Sequence, residues 1–502
     1  MTQSTRNEGA VRRALGGRDA RMPLRAHRGA ILHFLDDPGD GLDEPGTGLG
    51  EASGRANGPD SGLAGRGVPD QAGRSAATAG LELDRGGSTH GSCFEYFADG
   101  VLLVEAGRIA ALGPAAQLLP MLPASVPVIT HRDRLLLPGF IDAHIHYPQT
   151  DIIGAAGHRL LEWLERCTYP AERTFADAAH ARAVANFFLD ELLRNGTTSA
   201  CVFGTVHRAS VEAFFEAAAA RRLRMIAGKA LMDRGPDGLR DTPESGDRDT
   251  RELIERWAGC GRLEYAITPR FAPGSSPEQL RRAGALARDF PRMLIQSHLA
   301  ESREEVALAR RLFPEARSYL DVYDRFGLVR ARAIYAHCIH LDEADRRRMA
   351  QAGAAAAFCP SSNLFLGSGL FDIEAADAAD LKFSVATDVG AGTSFSLLRT
   401  LGDAYKVARL SGRRLTPPRA FYLATLGAAR ALGIDAHVGH FHPGAEADFI
   451  VLDLAATPLI ARRMRTARSL ADELAVLMTL GDDRVVAETY VLGERVYSAR
   501  GA

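Results

Sequence analysis

The chain has 502 residues, 46% of them hydrophobic, which is enough to bury a large core in one big domain and a smaller one. Its formal net charge of −2 gives no sign of a nucleic-acid partner, and no apolar run reaches the roughly 18 residues that a membrane span needs. The six cysteines form no Cys-x-x-Cys pair and the N-terminus lacks a signal peptide, so we expect a soluble, cytoplasmic protein without disulfides or a structural zinc knuckle.

Two segments near the start have the composition of unstructured chain. Residues 1–21 are rich in arginine, and we expect a disordered tail there or a true translation start at Met22. Residues 37–92 contain 15 glycines among 56 positions and show no periodicity, which predicts a disordered loop. The piece GTGLG at 46–50 follows no strand and opens no helix, so a phosphate-binding role is disfavoured.

Short apolar stretches at both ends of the chain predict a small β domain. Residues 29–35 form a candidate strand, and residues 100–112 have the pattern of a hairpin that turns at Ala106 and Gly107. Matching stretches near the other end lie at 447–453 and at 485–497, where a second turn is expected at Gly493 and Glu494. We predict a β-sandwich domain composed of residues 22–36, 93–137 and 439–502.

The region 138–438 alternates short apolar runs with long amphipathic stretches rich in alanine and arginine, such as 176–195, 211–222 and 277–289. Strand alternating with helix over about 300 residues indicates parallel strands joined by crossover helices. We therefore predict an α/β fold in which this region is a (β/α)8 TIM barrel, with its active site at the C-terminal ends of the strands.

A pair of histidines ends the apolar strand predicted at 138–146 (PGFIDAHIH). Residues two apart in a strand share a face, so His144 and His146 can direct both imidazoles to one point. Three more residues of suitable type also end predicted strands, namely His298, His337 and Asp388. Because strand ends meet at one rim of a barrel, the set predicts a metal-dependent hydrolase site.

Longer motifs make the comparison with known families specific. They are 138–154 (PGFIDAHIHYPQTDIIG), 161–164 (LEWL), 268–272 (TPRFA), 298–301 (HLAE), 360–369 (PSSNLFLGSG) and 387–394 (TDVGAGTS). With these motifs the chain resembles the amidohydrolase superfamily, and within it the family of guanine deaminases. The resemblance covers residues 22–35 and 93–500, which leaves out the N-terminal tail and the glycine-rich segment.

The resemblance implies a role for each residue around the metal. His144, His146, His298 and Asp388 would bind one ion per chain, a donor set suited to zinc, with iron and manganese left open. The ion would lower the pKa of a bound water to about 7. Asp388 would accept a proton from that water, and His337 would orient it. Glu301 matches the family's proton shuttle, which serves the ring nitrogen and the departing amine.

The resemblance also implies how the substrate is held and what becomes of it. Arg270 would donate to O6 and N7 of guanine, Gln149 would bind its amide edge, and Phe271 would stack on its face. The implied reaction converts guanine and water to xanthine and ammonia, a step of purine catabolism or salvage. We expect a homodimer that binds neither nucleic acid nor membrane.

Other interpretations of the same residues stay open. A histidine is often structural, and Glu301 by itself would fit the first turn of a solvated helix. The chain could be another deaminase of the superfamily, a scaffold without activity, or a cyclic amidohydrolase with two metals bridged by a carbamylated Lys229. Lys229 is expected early in its strand, which argues against a bridge. His440 and His442 repeat the His-x-His spacing, but they precede the small β domain and are not expected to bind metal.

Overall fold

The computed structural model describes residues 24–39, 89–90 and 93–499. The predicted tail at 1–21, the start at Met22, the GTGLG piece and most of the predicted loop at 37–92 lie outside this part of the chain. Within the described residues, no helix is both long enough and apolar enough to cross a membrane.

The N-terminal part contributes five strands to a mixed sheet. The hairpin predicted within 100–112 is confirmed, because its two strands join at Ala106 and Gly107, and both residues have positive φ. A short strand lies at the end of the range predicted as loop and pairs with the first strand of that hairpin. The strands are β1 (Arg25–Phe34), β2 (Thr89–His90), β3 (Phe94–Glu105), β4 (Arg108–Pro114) and β5 (Val128–Pro138).

The barrel follows, with parallel strands at eight positions. One position is shared by two short strands that are interrupted at Lys229. The first and last strands meet through Asp388 N to His144 O at 3.0 Å and His146 N to Val389 O at 2.9 Å, which closes the ring. The strands are β6 (Phe140–His146), β7 (Thr197–Phe203), β8 (Arg224–Gly228), β9 (Ala230–Leu231), β10 (Glu264–Pro269), β11 (Leu294–Leu299), β12 (Ala333–His337), β13 (Ala355–Phe358) and β14 (Lys382–Val385).

The last three strands complete the smaller sheet. They are β15 (Phe449–Asp453), β16 (Val486–Val491) and β17 (Glu494–Ser498). The sheet runs β17-β16-β15-β5-β1-β3-β2, with β4 also on β3; β1 and β5 are parallel and the other pairs antiparallel. The expected fold class is confirmed as a TIM-like barrel with a separate β domain from both chain ends, and in the described residues the domain expected as a β-sandwich is one eight-stranded sheet. The domain boundaries proposed from the sequence stay a prediction.

In the described part of the chain, helices connect the barrel strands, and further helices lie between strands of the smaller sheet. Three of them were predicted, at 176–195, 211–222 and 277–289, and the structure places them at Ala178–Arg194, Arg208–Ala220 and Pro277–Asp289. In chain order the helices are α1 (Ala115–Leu118), α2 (Leu160–Trp163), α3 (Tyr169–Arg173), α4 (Ala178–Arg194), α5 (Arg208–Ala220), α6 (Pro243–Trp257), α7 (Pro277–Asp289), α8 (Arg303–Leu312), α9 (Tyr319–Asp324), α10 (Glu343–Ala352), α11 (Pro360–Phe365), α12 (Ile373–Ala378), α13 (Leu397–Leu410), α14 (Pro417–Leu423), α15 (Leu426–Leu432), α16 (Pro458–Met464) and α17 (Leu470–Leu480).

Small side chains fill the inside of the barrel away from the site. Alanines such as Ala266, Ala336 and Ala357 share a buried cluster with α15, which packs against β6 and β14. Because their side chains are short, one helix can approach the strands closely. This packing keeps the strands in a fixed arrangement, so that the residues at their C-terminal ends are held at fixed separations.

Buried ion pairs join the barrel to the smaller sheet. Arg224 donates to both carboxylate oxygens of Glu446, at 2.8 and 2.6 Å, and Arg262 pairs with Asp448 just before β15. Glu446 also lies 3.2 Å from Arg262. Each charge has a partner of opposite sign, as buried charges require.

Candidate active site

Four side chains predicted to bind metal meet at the C-terminal ends of the barrel strands. His144 and His146 end β6, His298 lies in β11, and Asp388 follows β14. Nε2 of His146 lies 3.2 Å from Nε2 of His144 and 3.1 Å from Nε2 of His298. Oδ1 of Asp388 lies 3.2 and 3.3 Å from Nε2 of His144 and His146.

These separations fit a tetrahedral ion. Bonds of about 2.0–2.1 Å to nitrogen and oxygen put neighbouring ligands of a tetrahedron about 3.3 Å apart. Nδ1 of His298 lies 2.6 Å from the carbonyl oxygen of Arg270, which can only accept, so Nδ1 carries the proton and Nε2 has a free lone pair. Burial also lowers the pKa of His146 to about 4, which keeps its imidazole neutral. The four residues therefore suit a divalent metal ion.

A second group of possible ligands, His337, Cys359 and Asp388, overlaps the first. Burial raises the pKa of the Cys359 thiol well above its ordinary value, and a protonated thiol is a poor ligand. His144, His146, His298 and Asp388 are therefore the better candidate for the metal centre.

His337 and Glu301 stand beside the metal candidates. Nε2 of His337 lies 3.3 Å from Oε2 of Glu301 and 3.9 Å from Oδ2 of Asp388. Burial, followed by the charges of Glu305 and Asp388, raises the pKa of Glu301 well above its ordinary value, against the hydrogen bond from Ser368. Glu301 can therefore hold a proton at neutral pH, as a general acid must.

The backbone is strained where these residues are placed. His337 has φ of 71° and Asp388 has φ of 53°, in the left-handed region that costs a non-glycine residue roughly 1–3 kcal/mol. The surrounding bonds hold them there: Nδ1 of His337 lies 2.9 Å from Oδ1 of Asn363, and the backbone of Asp388 is bound to His144. Such strain is typical of functional sites.

All of the candidate site residues except His144 line one cavity. The lining includes His146, His298 and Asp388 together with Glu301 and His337. Four apolar side chains also line the cavity, and they are Leu160, Trp163, Leu164 and Leu366.

The residues predicted to bind substrate, Gln149, Arg270 and Phe271, also line this cavity. One part of the prediction needs amending. Nη1 and Nη2 of Arg270 both donate to the buried carboxylate of Glu172, so these two nitrogens do not present a free pair of donors to a ligand. The N–H groups of Arg270 that remain for a ligand are Nε–H and the second hydrogen of each terminal nitrogen, which points away from Glu172.

Lys229 and the pair of His440 and His442 are engaged in contacts other than metal binding. Lys229 lies between β8 and β9, near the C-terminal end of its strand position, so the expectation that it lies early was wrong. Its buried ammonium pairs with Asp241, and it is not among the residues that line the cavity. Nε2 of His440 donates to the carbonyl oxygen of Asp435, and its Nδ1 accepts from the backbone N–H of His442.

Sequence reasoning missed Glu172, Asn363 and Glu305. Asn363 and its neighbour Ser368 lie within the motif at 360–369, so the motif marked their region without giving them a role. Glu305 accepts from the backbone N–H groups of Glu301 and Ser302 as part of a helix cap. No sequence pattern pointed to Glu172, because its hydrogen-bond partners lie 23 and 98 residues away along the chain.

Comparisons with known proteins agree with this geometry. The model of the amidohydrolase family matches residues 135–496. Guanine deaminase of Escherichia coli (strain K12) is 49% identical over 407 residues, which is 81% of this chain and 93% of that protein. A probable guanine deaminase of Deinococcus radiodurans is 43% identical over 413 residues, or 80% of this chain and 94% of the relative.

Solved structures show the same similarity. The structure of E. coli guanine deaminase is similar with a TM-score of 0.82 and 43% sequence identity. The match covers 95% of this chain and 100% of that one. Both the barrel and the smaller sheet therefore have counterparts in a solved structure.

Proposed function

The chain belongs to the amidohydrolase family, and we propose that it is a guanine deaminase that converts guanine and water to xanthine and ammonia. The observation that carries the proposal is the cavity itself. Its lining combines members of a cluster that suits a metal ion, the proton carrier Glu301, and Arg270 and Gln149, whose hydrogen-bonding groups suit a purine edge.

We propose zinc as the metal, with one ion per chain held by His144, His146, His298 and Asp388. Three neutral imidazoles and one carboxylate are a typical zinc donor set. When bound, such an ion supplies an activated water at neutral pH. Since Lys229 is paired with Asp241, a second, carbamate-bridged ion has no support in the geometry.

Protein side chains would carry out the proton transfers of the reaction. Asp388 accepts a proton from the attacking water, and His337, next to both carboxylates, orients that water. Glu301 holds a proton because of its raised pKa and gives it to N3 of guanine as the bond between C2 and the water oxygen forms. The proton that Asp388 accepted then passes to the amino group on C2, the C2–N bond breaks and ammonia leaves. The remaining proton of the new C2 hydroxyl returns to Glu301, which gives xanthine and restores both acids.

Specificity for guanine would follow from the hydrogen-bond donors and acceptors of Arg270 and Gln149. The remaining N–H groups of Arg270 suit O6 and N7, both acceptors in guanine, whereas adenine presents an amino group at the position of O6. Gln149 offers a second amide N–H and an oxygen lone pair. Phe271, which also lines the cavity, offers a face for stacking.

The experiment is a product assay on the purified, metal-loaded protein. Guanine should disappear while xanthine and ammonia form in equal amounts, and adenine at the same concentration should give little ammonia. Ammonia from adenine but not from guanine would indicate another deaminase of the family, and no turnover with either would exclude the proposal.

The place of the enzyme in the cell is part of the proposal. Its product and substrate fit purine catabolism or salvage, and the six cysteines are all free, which fits the reducing cytoplasm. The expected homodimer stays a prediction.

A further inference from the structure

Glu172 is a buried carboxylate that contacts two of the predicted substrate-binding residues. It lies in α3, within the segment that leads from Gln149 over the cavity, and only 1% of it is exposed. Oε1 accepts from Nη2 of Arg270 at 2.9 Å and from Nε2 of Gln149 at 3.0 Å, and Oε2 accepts from Nη1 of Arg270. One acid thus joins a loop residue to the end of β10.

The amide of Gln149 is fixed in orientation by these bonds. Its Nε2 faces the carboxylate of Glu172, which can only accept, and its Oε1 faces the backbone N–H of Gly390 at 3.3 Å, which can only donate. A flipped amide would place oxygen against oxygen and N–H against N–H. The second N–H of Gln149 and one lone pair of its oxygen therefore have defined directions.

Arg270 is fixed in the same way. Its planar guanidinium bonds Glu172 through both terminal nitrogens, and its carbon lies 5.7 Å from the centre of the Tyr169 ring. This arrangement leaves the plane of the group no freedom to rotate, and it directs Nε and the outer hydrogens away from Glu172. The negative charge of Glu172 also compensates a positive charge that is buried near a metal site.

We propose that Glu172 is a positioning residue that holds Arg270 and Gln149 in the one arrangement that recognises the O6 and N7 edge of guanine. This inference rests on the proposed function. Glu172 itself touches neither the substrate nor the reacting atoms, and its effect on the reaction passes through Arg270 and Gln149.

Two variants distinguish the positioning role of Glu172 from a purely structural one. Glu172→Asp keeps the charge but shortens the side chain, so it cannot reach both partners at once. Glu172→Gln keeps the length and can still accept from Gln149, but it lacks the charge that pairs with Arg270. Glu165→Gln, on the exposed preceding turn, is the matched control.

We expect Glu172→Asp to lower kcat/KM for guanine by about tenfold or more, chiefly through KM, with metal content and melting temperature little changed. Glu172→Gln should lower it by about 100-fold. Inhibition by 2-aminopurine, which keeps N7 but lacks the O6 acceptor, should weaken by a smaller factor than kcat/KM for guanine in both variants, because that ligand uses only part of the fixed edge. In an Arg270→Ala background, Glu172→Gln should cost less than about threefold more, because its partner is already absent.

The proposal is overturned if a folded, metal-loaded Glu172→Asp variant keeps kcat/KM for guanine within twofold of the parent value. It is equally overturned if Glu172→Gln causes the same loss with and without Arg270, since the two residues would then act independently. A parent protein that does not turn over guanine would remove the proposed function, and this inference with it. An active parent with unchanged variants would remove the inference alone.

Discussion

Nε2 of His337 lies 3.3 Å from a carboxylate oxygen of Glu301, and the same nitrogen lies 3.9 Å from Asp388. One imidazole therefore lies close to two carboxyl groups that act in opposite protonation states in the proposed mechanism. Burial, followed by the charges of Glu305 and Asp388, raises the pKa of Glu301 and favours its protonated form, whereas Asp388 lies close to His144, His146 and His337. In the proposed mechanism, the proton donor and the proton acceptor of the reaction are thus the two carboxyl groups nearest His337.

Glu301→Gln should remove the proton carrier while keeping its shape. We expect kcat for guanine to fall by about 10²- to 10⁴-fold, with KM and bound metal unchanged. Steady-state kinetics and metal analysis of the purified variant would measure this. Glu304→Gln, an exposed position three residues along the same segment, is the control and should retain full activity. An active Glu301→Gln would assign the proton transfer to another group.

Hydrogen bonds between Thr387 and Asp142 connect the last and first strands of the barrel beside the candidate metal ligands. The hydroxyl and the backbone N–H of Thr387 both donate to the Asp142 carboxylate, which is fully buried. Thr387→Val leaves one buried acceptor with fewer donors, so we expect a loss of about 1–3 kcal/mol in unfolding free energy. Metal affinity should fall about tenfold, because Asp388 is the next residue.

Thr387→Ser keeps the hydroxyl and provides the matched control. Denaturant unfolding and a competitive chelator titration would compare the two variants. If Thr387→Val and Thr387→Ser bind metal equally well, the closure of the barrel at this point does not support the metal centre.

The ion pair of Arg224 and Glu446 should make stability depend on pH. Burial would raise the pKa of Glu446, but the hydrogen bonds from Arg224 and the charges of Arg262 and Arg224 lower it below the ordinary value. A carboxylate with a depressed pKa stabilises the fold above its unfolded pKa of about 4.3, and this stabilisation is lost as the pH falls through the lower, folded pKa.

Glu446→Gln should therefore lower the unfolding free energy by about 3 kcal/mol at pH 7, since it leaves two buried arginines short of a partner. The difference from the parent should shrink below about pH 4. Chemical denaturation at several pH values would show this. Glu343→Gln removes an exposed ion pair with Arg347 and should change stability by less than about 0.5 kcal/mol at every pH. A difference for Glu446→Gln that grows at low pH would contradict the assignment.

The sequence predicted the candidate metal ligands better than the contacts of the substrate-binding residues, because strand periodicity and barrel topology place only the former. His144 and His146 follow the two-residue period of a strand, and His298 and Asp388 end strands of a barrel, so periodicity and topology place them together. Glu172 lies on a five-residue helix between a π-helical segment and a 3-10 helix, and because the helical period changes at both ends, no single period predicts the direction of its side chain. Its partner Arg270 is brought to it only by the packing of the whole barrel.

Much of the segment between β1 and β3 should be dispensable for activity. The described residues on either side are already joined: Leu35 N and Asp36 N bond the carbonyl oxygen of Cys93 at 2.7 and 3.1 Å. Replacing residues 41–87 with a short Gly/Ser linker would keep these bonds and the contact of Gly39 with Thr416.

Because loop-closure entropy changes slowly with length, stability should stay within about 1 kcal/mol of the parent value. Activity on guanine should be unchanged. Thermal unfolding and guanine turnover of the shortened protein would check both. A large loss of turnover with intact stability would show that the segment contributes to the active site.

The most direct test of the account is a zinc titration of the metal-free protein with guanine as substrate. One ion at His144, His146, His298 and Asp388 should be sufficient, so the rate of xanthine formation should rise in proportion to added zinc and stop rising at one equivalent per chain. Ammonia should form in equal amount at every point. A rate that continues to rise to two equivalents, or no xanthine at saturating zinc, would contradict a guanine deaminase with a single metal.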